Sequence, residues 1–404
     1  MRIAMLSVHS SPLGRAGSKD TGGMSTYVRG LAEALGQMGH RVDIFTCAAD
    51  SNNDEIQEIA ANVRLVSIAT GLATLEKNEL YPHIAAIAGS IDNLCRTNKF
   101  SYSLIFSHYW LSGCAGRILK QRWKVPHLIM FHTLGQTKNE ACAGENEPLL
   151  RLEEEEMLAC ESERVIVAAQ QEKERIISYY DLLPEKVVVI PPGIDRDLFY
   201  IRDKAKIKAQ LGFGEEKVIL FVGRIEPVKG LDLLVQAAAL LPADFDFRLI
   251  VIGGDDRSRV IINQLNENAA KLGIAGKVIF RGLIAHQDLP LYYSAADITV
   301  MPSSYESCGL VALESLACGT PVVAGPVGII PELVSTSVVN TPVYMVNDRN
   351  PAAWAAAIKK ALALSHAHAH SNPIPISQAA VEKTLAPFNW TQSAGHFINE
   401  CQKL

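Results

Sequence analysis

Short runs of β-branched and aliphatic residues recur along the chain, and stretches with helical periodicity separate them. The runs before residue 193 are RIAMLSV, RVDIFT, VRLVSI, YSLIFSH, HLIMFHT, RVIVAA and KVVVIPPG. After the charged segment DRDLFYIRDKAKIKAQLGF they are KVILFVGR, FRLIVIGG, KVIFRGL, ITVMPSS, PVVAGP and VYMVND. Strands that are apolar throughout and are followed by a helix are typical of parallel sheets covered on both faces. The pattern predicts an α/β protein with two doubly wound domains.

The charged segment separates the two sets of strands, so we expect the domain boundary near residues 193 to 205. Residues 1–195 form the predicted N-terminal domain and residues 196–384 the C-terminal domain. Residues 385–404 include the amphipathic stretch PFNWTQSAGHFINECQKL, which we expect to pack back on the N-terminal domain as a helix. The segment SHAHAHSNPIPIS at 365–377 is interpreted as an exposed linker, and metal binding by His366, His368 and His370 is the less favoured alternative.

Composition and charge narrow the class of partner. The chain has 404 residues, 20% of them charged, and a formal charge of -5, so nothing global indicates a nucleic-acid or membrane partner. Eight scattered cysteines without a CxxC pair suit a reducing compartment, which predicts a cytoplasmic protein. We expect neither a signal peptide nor a membrane span. Any anionic ligand must therefore be held by a local site.

Two glycines follow the first predicted strand, in DTGGMSTYVRGLAEALGQMGHRV. Gly22 and Gly23 precede a helix, and Gly39 is placed to end it. Glycines before a helix let backbone N–H groups approach a phosphate closely. A tight turn without a ligand explains the same residues equally well.

Two cations follow a strand of the second domain, in FVGRIEPVKGLDLLVQAA. Arg224 lies at the strand end and Lys229 just before a helix that Gly230 helps to begin. A guanidinium and an ammonium group at this edge suit the two phosphates of a diphosphate. The alternative is a solvated pair of surface charges.

Two glutamates lie in SYESCGLVALESLACGTPVV at 304–323. The run from Gly309 predicts a buried apolar helix that Gly319 ends, and this helix contains Glu314. A buried carboxylate needs a partner or takes up a proton. Glu306 and Glu314 on one helix would lie about 12 Å apart, too far for a glycosidase pair. We interpret them as binding hydroxyl groups at opposite ends of a long ligand.

Polar residues also follow two strands of the first domain, in SHYWLSG at 107–113 and FHTLGQTKN at 131–139. Tyr109, His132, Thr133 and Lys138 should lie on the same rim of the sheet. A single histidine in this place is more often structural than catalytic. The polar neighbours make His132 a candidate for a catalytic site.

These segments resemble the signature motifs of glycosyltransferase family 4, whose members are retaining enzymes of the GT-B fold that use nucleotide sugars. The similar segments are GGMSTYVRGLAEALGQMGHRVDIFT, VGRIEPVKG and the E-x7-E of SYESCGLVALESLACGTPVVA. Within the family, SSPLGRAGSKDTGGMSTYV, SHYWLSG and HTLGQTKN resemble the inositol-phosphate N-acetylglucosaminyltransferases of mycothiol synthesis, and next the sucrose-phosphate synthases.

The resemblance implies a role for each matching residue. Gly22, Gly23, Arg224 and Lys229 would bind the donor diphosphate, Glu314 the ribose, and Glu306 and His132 the transferred sugar at the catalytic centre. Cys308, Gly309 and Leu310 would complete the donor site, although the family usually has Phe at the position of Cys308. The acceptor's phosphate would lie at Lys77, Tyr109, Thr133, Lys138 and Arg151, the last of which matches with a shift of about one residue.

The expected reaction is transfer of a sugar from a nucleotide diphosphate, with UDP favoured, to a hydroxyl of a small polyol or sugar. The resemblance to the inositol-phosphate enzymes and the sucrose-phosphate synthases implies that this acceptor can carry a phosphate. No metal site and no cofactor beyond the nucleotide sugar are expected, although a stimulatory divalent ion is compatible with the sequence. Peripheral membrane contact and a homo-oligomer are compatible with it as well. A nucleotide-sugar epimerase and a non-catalytic nucleotide-sugar-binding protein are the alternatives.

Overall fold

The computed structural model describes residues 1–13, 22–48, 54–72, 75–141, 146–335, 342–370 and 378–404, with the backbone alone for 364–370. Two sheets organise it. The first sheet contains β1 (Arg2–Leu6), β2 (Arg41–Cys47), β3 (Glu55–Ala60), β4 (Val63–Ile68), β5 (Leu104–His108), β6 (His127–Met130), β7 (Arg164–Val167) and β8 (Val187–Val189). Its helices are α1 (Gly23–Gln37), α2 (Ile84–Thr97), α3 (Trp110–Trp123), α4 (Gly135–Glu140), α5 (Leu149–Glu161) and α6 (Gln170–Tyr180).

The second sheet contains β9 (Lys217–Val222), β10 (Phe247–Ile252), β11 (Val278–Gly282), β12 (Ile298–Met301), β13 (Val322–Ala324) and β14 (Val343–Met345). The helices that follow the first domain are α7 (Lys204–Gln210), α8 (Leu231–Ala239), α9 (Arg259–Lys271), α10 (Leu289–Ala295), α11 (Leu310–Ala317), α12 (Ile330–Ser335), α13 (Pro351–His370), α14 (Gln378–Leu385) and α15 (Trp390–Cys401).

The strand orders are those of two Rossmann-like sheets. The first is β3-β4-β2-β1-β5-β6-β7-β8 and the second is β11-β10-β9-β12-β13-β14. Buried apolar residues form one cluster on each face of each sheet. The prediction of an α/β protein with two doubly wound domains is therefore confirmed, and the residue at which one domain ends stays a prediction.

The sequence pattern missed β3, which pairs antiparallel with β4 at the edge of the first sheet. Residues 55–58 are exposed, and the strand reads EIQEIA without a continuous apolar run. A strand with one solvated face and a free edge needs no such run, because little of it is buried. The expectation of purely parallel sheets was wrong at this edge.

The linker interpretation of residues 365–377 was wrong for its first half. Helix α13 continues to His370. Alanine favours the helix, and the described helical residues contain no proline after Pro351. The side chains of His366, His368 and His370 lie outside the described part of the chain, so metal binding there stays a hypothesis.

The C-terminal helix α15 packs against α1. Its buried residues Phe397 and Ile398 belong to the same apolar cluster as Val28 and Leu31 of α1. The chain thus crosses from the second sheet back to the first. No described helix is long and apolar enough to cross a membrane.

Candidate active site

The carboxyl ends of the two sheets line a common cleft that contains a cavity of about 240 Å³. Strand order reverses between β1 and β5 in the first sheet and between β9 and β12 in the second. Open α/β sheets bind ligands at such points. The predicted site residues that line this cavity are Gly22, Gly23, Lys77, Tyr109, His132, Thr133, Lys138, Arg224, Lys229, Glu306, Cys308, Gly309, Leu310 and Glu314.

Helix α1 begins at the cavity wall. The first N–H groups of any helix have no acceptor within the helix. Among the described residues, no side chain caps the N-terminus of α1 at Gly22. A Cβ atom on Gly23 would lie 3.5 Å from Leu310 Cδ1, which places the start of α1 beside the start of α11. The positive end of the α1 dipole therefore faces a space suited to a phosphate.

Both predicted diphosphate-binding cations line the cavity, and both are paired with carboxylates. Arg224 Nη1 lies 2.8 Å from Glu226 Oε1, and Lys229 Nζ lies 2.7 Å from Glu306 Oε1. Lys229 is held near the cavity by the following turn, where Gly230 has a φ of +67°. The two cations thus have fixed positions at the carboxyl end of β9, and Lys229 is joined to the glutamate that precedes α11.

Glu314 is buried in α11, as predicted, but its partners belong to the protein. Tyr293 Oη donates to Oε2 at 2.7 Å, and His286 Nε2 lies 2.9 Å from Oε1. Burial disfavours the charged form of His286, but the Glu314 carboxylate outweighs this and raises the pKa of His286 above its usual value. The partners that the burial of Glu314 requires are thus supplied by the protein itself, and its carboxylate also lines the cavity, so binding of a ligand hydroxyl group stays a prediction.

Two non-glycine residues at the strand ends of the first sheet adopt left-handed backbone conformations. Tyr109 follows β5 with a φ of 76°, and His132 follows β6 with a φ of 60°. Such conformations are uncommon outside glycine and occur often at functional sites. His132 Nε2 lies 2.8 Å from His108 Nδ1, and burial lowers the pKa of His132 to about 3. His132 is therefore neutral at physiological pH.

Arg151 differs from the other predicted residues because it lies behind the cavity wall, 1% exposed. Its guanidinium bonds to Glu155 at 2.7 Å and donates to the backbone oxygen of Thr133 at 2.8 Å. It also lies over the ring of Tyr109, 4.9 Å from the ring centroid. Arg151 thus supports Thr133 and Tyr109 from below and does not itself reach the cavity.

Cys308 contacts the apolar clusters of both domains, where the two sheets approach each other. Burial raises the pKa of its thiol well above the usual value, so the thiol stays protonated. Cys308, where the family resemblance led us to expect Phe, therefore provides a smaller apolar contact.

Sequence reasoning missed several residues that line the cavity: His9, Tyr27, Glu226, His286 and Tyr305. His9 and His286 follow β1 and β11, so the rule that site residues come just after strands would have found them. Tyr305 follows β12 and would have been found by the same rule, whereas Tyr27 lies within α1, where no local pattern marks it.

Two family models match the chain. Residues 21–198 match Glycosyltransferase Family 4, and residues 203–372 match Glycosyl transferases group 1. D-inositol 3-phosphate glycosyltransferase from Mycobacteroides abscessus is 38% identical over 406 residues, which cover 98% of this chain and 88% of that protein. The protein of the same name from Geodermatophilus obscurus is 38% identical and covers 90% of this chain and 82% of its own length.

Solved structures with similar folds include sucrose-phosphate synthase from Thermosynechococcus elongatus. It is 30% identical with a TM-score of 0.89, covering 100% of this chain and 98% of that chain. An Anabaena protein solved in complex with UDP-glucose is 19% identical with a TM-score of 0.76, covering 100% of both chains. The second likeness concerns the fold alone.

Proposed function

Because this chain belongs to glycosyltransferase family 4, and is thus a retaining enzyme of the GT-B fold that uses a nucleotide sugar, we propose a UDP-sugar as its donor and a phosphorylated polyol or sugar as its acceptor. The observation that carries the proposal is the set of groups that line one cavity. These groups are Glu314 with its two protein partners, the Arg224 and Lys229 cations beside the N-terminus of α1, and Lys77, for which the described residues supply no carboxylate ion pair.

The donor assignment rests on the first two groups. Arg224, Lys229 and the N–H groups at Gly22 and Gly23 supply positive charge for a diphosphate. Glu314, fixed by Tyr293 and His286, is preorganised to accept hydrogen bonds from ribose hydroxyls. Uridine is proposed as the base by analogy alone, since a protein of the same fold was solved with UDP-glucose.

The acceptor assignment rests on Lys77. No carboxylate in the described ranges forms an ion pair with it, and its Nζ lies 6.0 Å from the centroid of the Tyr109 ring. Burial, followed by the charges of Arg224 and Arg151, lowers the pKa of Lys77. A bound phosphate would offset that penalty, since an anion near a buried ammonium stabilises its charge. The similarity to D-inositol 3-phosphate glycosyltransferases supports a phosphorylated acceptor.

The chemistry follows from where charge develops. As the bond from the anomeric carbon to the diphosphate breaks, negative charge grows on the leaving phosphate beside Arg224 and Lys229. The acceptor hydroxyl attacks the sugar from the same face and gives its proton to the leaving phosphate oxygen, which retains the anomeric configuration. Glu306 is held by Lys229 and by Ser303 Oγ at 2.8 Å, which suits binding of the sugar better than attack on it. Neutral His132 serves as a hydrogen-bonding partner of the sugar.

The reaction proposed here uses no cofactor beyond the nucleotide sugar. Arg224 and Lys229 supply the charge that a metal ion would supply to a diphosphate in other enzymes. We place the reaction in the cytoplasm, and the free state of the cysteines among the described residues supports a reducing compartment.

A two-part assay tests the proposal. Thermal-shift measurements with UDP, GDP and ADP should show the largest stabilisation with UDP. Transfer should then be followed by NMR with UDP-glucose or UDP-N-acetylglucosamine and with inositol phosphate, a hexose phosphate and their unphosphorylated counterparts. We expect product only with a phosphorylated acceptor and with retained anomeric configuration. Product from donor alone would indicate an epimerase, and UDP binding without any turnover a binding protein.

The Lys77→Ala variant tests the acceptor end separately. We expect the KM for the phosphorylated acceptor to rise about tenfold or more, because a charge-assisted hydrogen bond is lost, while the donor KM stays unchanged. Lys271→Ala, an exposed position on α9, is the matched control. Equal effects of Lys77→Ala on both KM values would contradict a phosphate site at this end.

A further inference from the structure

The segment that carries His132 is held by contacts from several elements. His108 contacts His132, and Arg151 donates to the backbone oxygen of Thr133 at 2.8 Å. The Gly135 N–H donates to Glu155 Oε2 at 2.8 Å. All of these partners belong to the first domain, so they fix the segment whatever the position of the second domain.

Tyr305 is a partner of the same segment that comes from the second domain. The Leu134 N–H donates to Tyr305 Oη at 3.3 Å. Tyr305 precedes Glu306 in the loop between β12 and α11, and it is only 4% exposed. One side chain therefore joins the loop that presents Glu306 to the loop that presents His132.

The surroundings of Tyr305 also belong to the first domain. Arg175 of α6 lies over its ring, 5.8 Å from the centroid. The buried carboxyl of Glu172, also on α6, faces its hydroxyl. The ring of Tyr305 is thus inserted into the first domain, and separating the domains would remove it from this site.

We propose that Tyr305 is a positioning residue that fastens the His132 loop to the Glu306 loop, so that both side chains meet the transferred sugar only while the cleft is closed. This inference rests on the proposed function. The hydrogen bond from the Leu134 N–H to the Tyr305 hydroxyl forms only while the domains are together, so this hydroxyl stabilises the closed arrangement. Closure in turn keeps water away from the donor sugar.

Weakening the contact between the two loops should change what happens to the donor sugar. If the fastening is weakened, the donor still binds to Arg224, Lys229 and Glu314 on the second domain, but the sugar is exposed to water for longer. Hydrolysis of the donor should then gain relative to transfer. A residue that only stabilised the fold would lower the rates of hydrolysis and transfer together. The ratio of hydrolysis to transfer therefore distinguishes a positioning role from a purely structural one.

The contact itself is tested by amide hydrogen exchange in Tyr305→Phe, which removes only the hydroxyl. We expect the Leu134 amide to exchange at least about threefold faster than in the wild type, as loss of one net hydrogen bond implies. Tyr344→Phe on β14, away from the cleft, is the control. Unchanged exchange at Leu134 would overturn the inference, and this measurement needs no substrate.

The positioning role is tested by kinetics of the same variant. We expect kcat for transfer to fall about two- to tenfold, the ratio of hydrolysis to transfer to rise by a similar factor, and the Kd for UDP to stay within about twofold. Arg175→Gln leaves the Tyr305 hydroxyl in place and should raise the ratio of hydrolysis to transfer by a smaller factor. This second variant serves as the test if Tyr305→Phe folds poorly. An unchanged ratio in both variants would contradict the proposal.

Failure of the inference and failure of the proposed function give different results. If the wild type neither binds UDP nor transfers sugar, the proposed function fails, while amide exchange at Leu134 still decides whether Tyr305 fastens the two loops. If the wild type transfers sugar and Tyr305→Phe matches it in ratio and exchange, only the inference about Tyr305 fails.

Discussion

Glu314 shows how one side chain can be both structural and ligand-binding. Its carboxylate is buried in an apolar helix and satisfied by Tyr293 and His286, yet it lines the cavity. The protein partners leave part of its hydrogen-bonding capacity for a ligand, since a carboxylate accepts more than two bonds. The partners also fix its orientation, which favours tight binding of a ribose.

We predict that Glu314→Gln weakens UDP binding by about 1.5 to 3 kcal/mol, because charge-assisted hydrogen bonds to ribose are lost. Weakening of the contacts with His286 and Tyr293 should also lower the Tm. Calorimetric titration with UDP and thermal unfolding measure the two effects separately. Glu267→Gln, exposed on α9, is the control. A lowered Tm with normal UDP affinity would mean that Glu314 is purely structural.

At the scale of elements, the connection between the domains consists of two chain segments that bond to each other. The Ile194 N–H donates to the Phe388 oxygen at 3.1 Å, and Ser393 Oγ donates to the Pro191 oxygen at 2.6 Å. Gly193 lies between these contacts, and a Cβ atom there would be 2.2 Å from the Trp390 backbone nitrogen. The glycine is needed for close approach of α15. Because it lies on a segment that joins the two domains, we also predict that it acts as a hinge for their closure.

Gly193→Val should therefore destabilise the protein as well as slow turnover. Overpacking against backbone typically costs about 1 to 3 kcal/mol, which chemical denaturation will measure. Gly395→Ala in α15, where a Cβ meets nothing within 4 Å, should be neutral or stabilising. A Gly193→Val protein with wild-type stability and slow turnover would indicate a hinge without a packing role.

At the scale of the whole molecule, the two domains meet through buried and exposed polar groups. Arg257 pairs with Glu76 across the outer cleft at 3.0 Å, and Glu332 accepts from the Gln170 N–H at 2.6 Å. Glu172 on α6 contacts Tyr305 of the second domain, and burial raises the pKa of Glu172 to about 8, although the Ala168 N–H, the charge of Arg175 and the Tyr305 hydroxyl act in the opposite direction. Glu172 is thus protonated in the folded protein at neutral pH.

This protonation links stability to pH. Unfolded Glu172 ionises near its ordinary pKa of 4.5, whereas folded Glu172 keeps its proton to about pH 8. The folded state binds more protons in that window, so the contribution of Glu172 to stability decreases as pH rises from 5 to 8. Glu172→Gln cannot ionise, and its Tm should rise relative to wild type across that range. Glu174→Gln, exposed on the same helix, is the control, and parallel Tm curves for Glu172→Gln and wild type would refute the prediction.

The sequence by itself determined the alternation of apolar strands and helices, and hence two Rossmann-like domains with site residues just after their strands. It led to Gly23, Arg224 and His132, which line the cavity, because a strand's burial and the chemistry at its end are local properties, while their roles stay predictions. Only the tertiary structure decided which groups pair, as Lys229 with Glu306, which are distant in sequence. It also placed Arg151 behind the cavity and Tyr305 across the cleft, because such contacts depend on how two domains pack and leave no periodic trace in the chain.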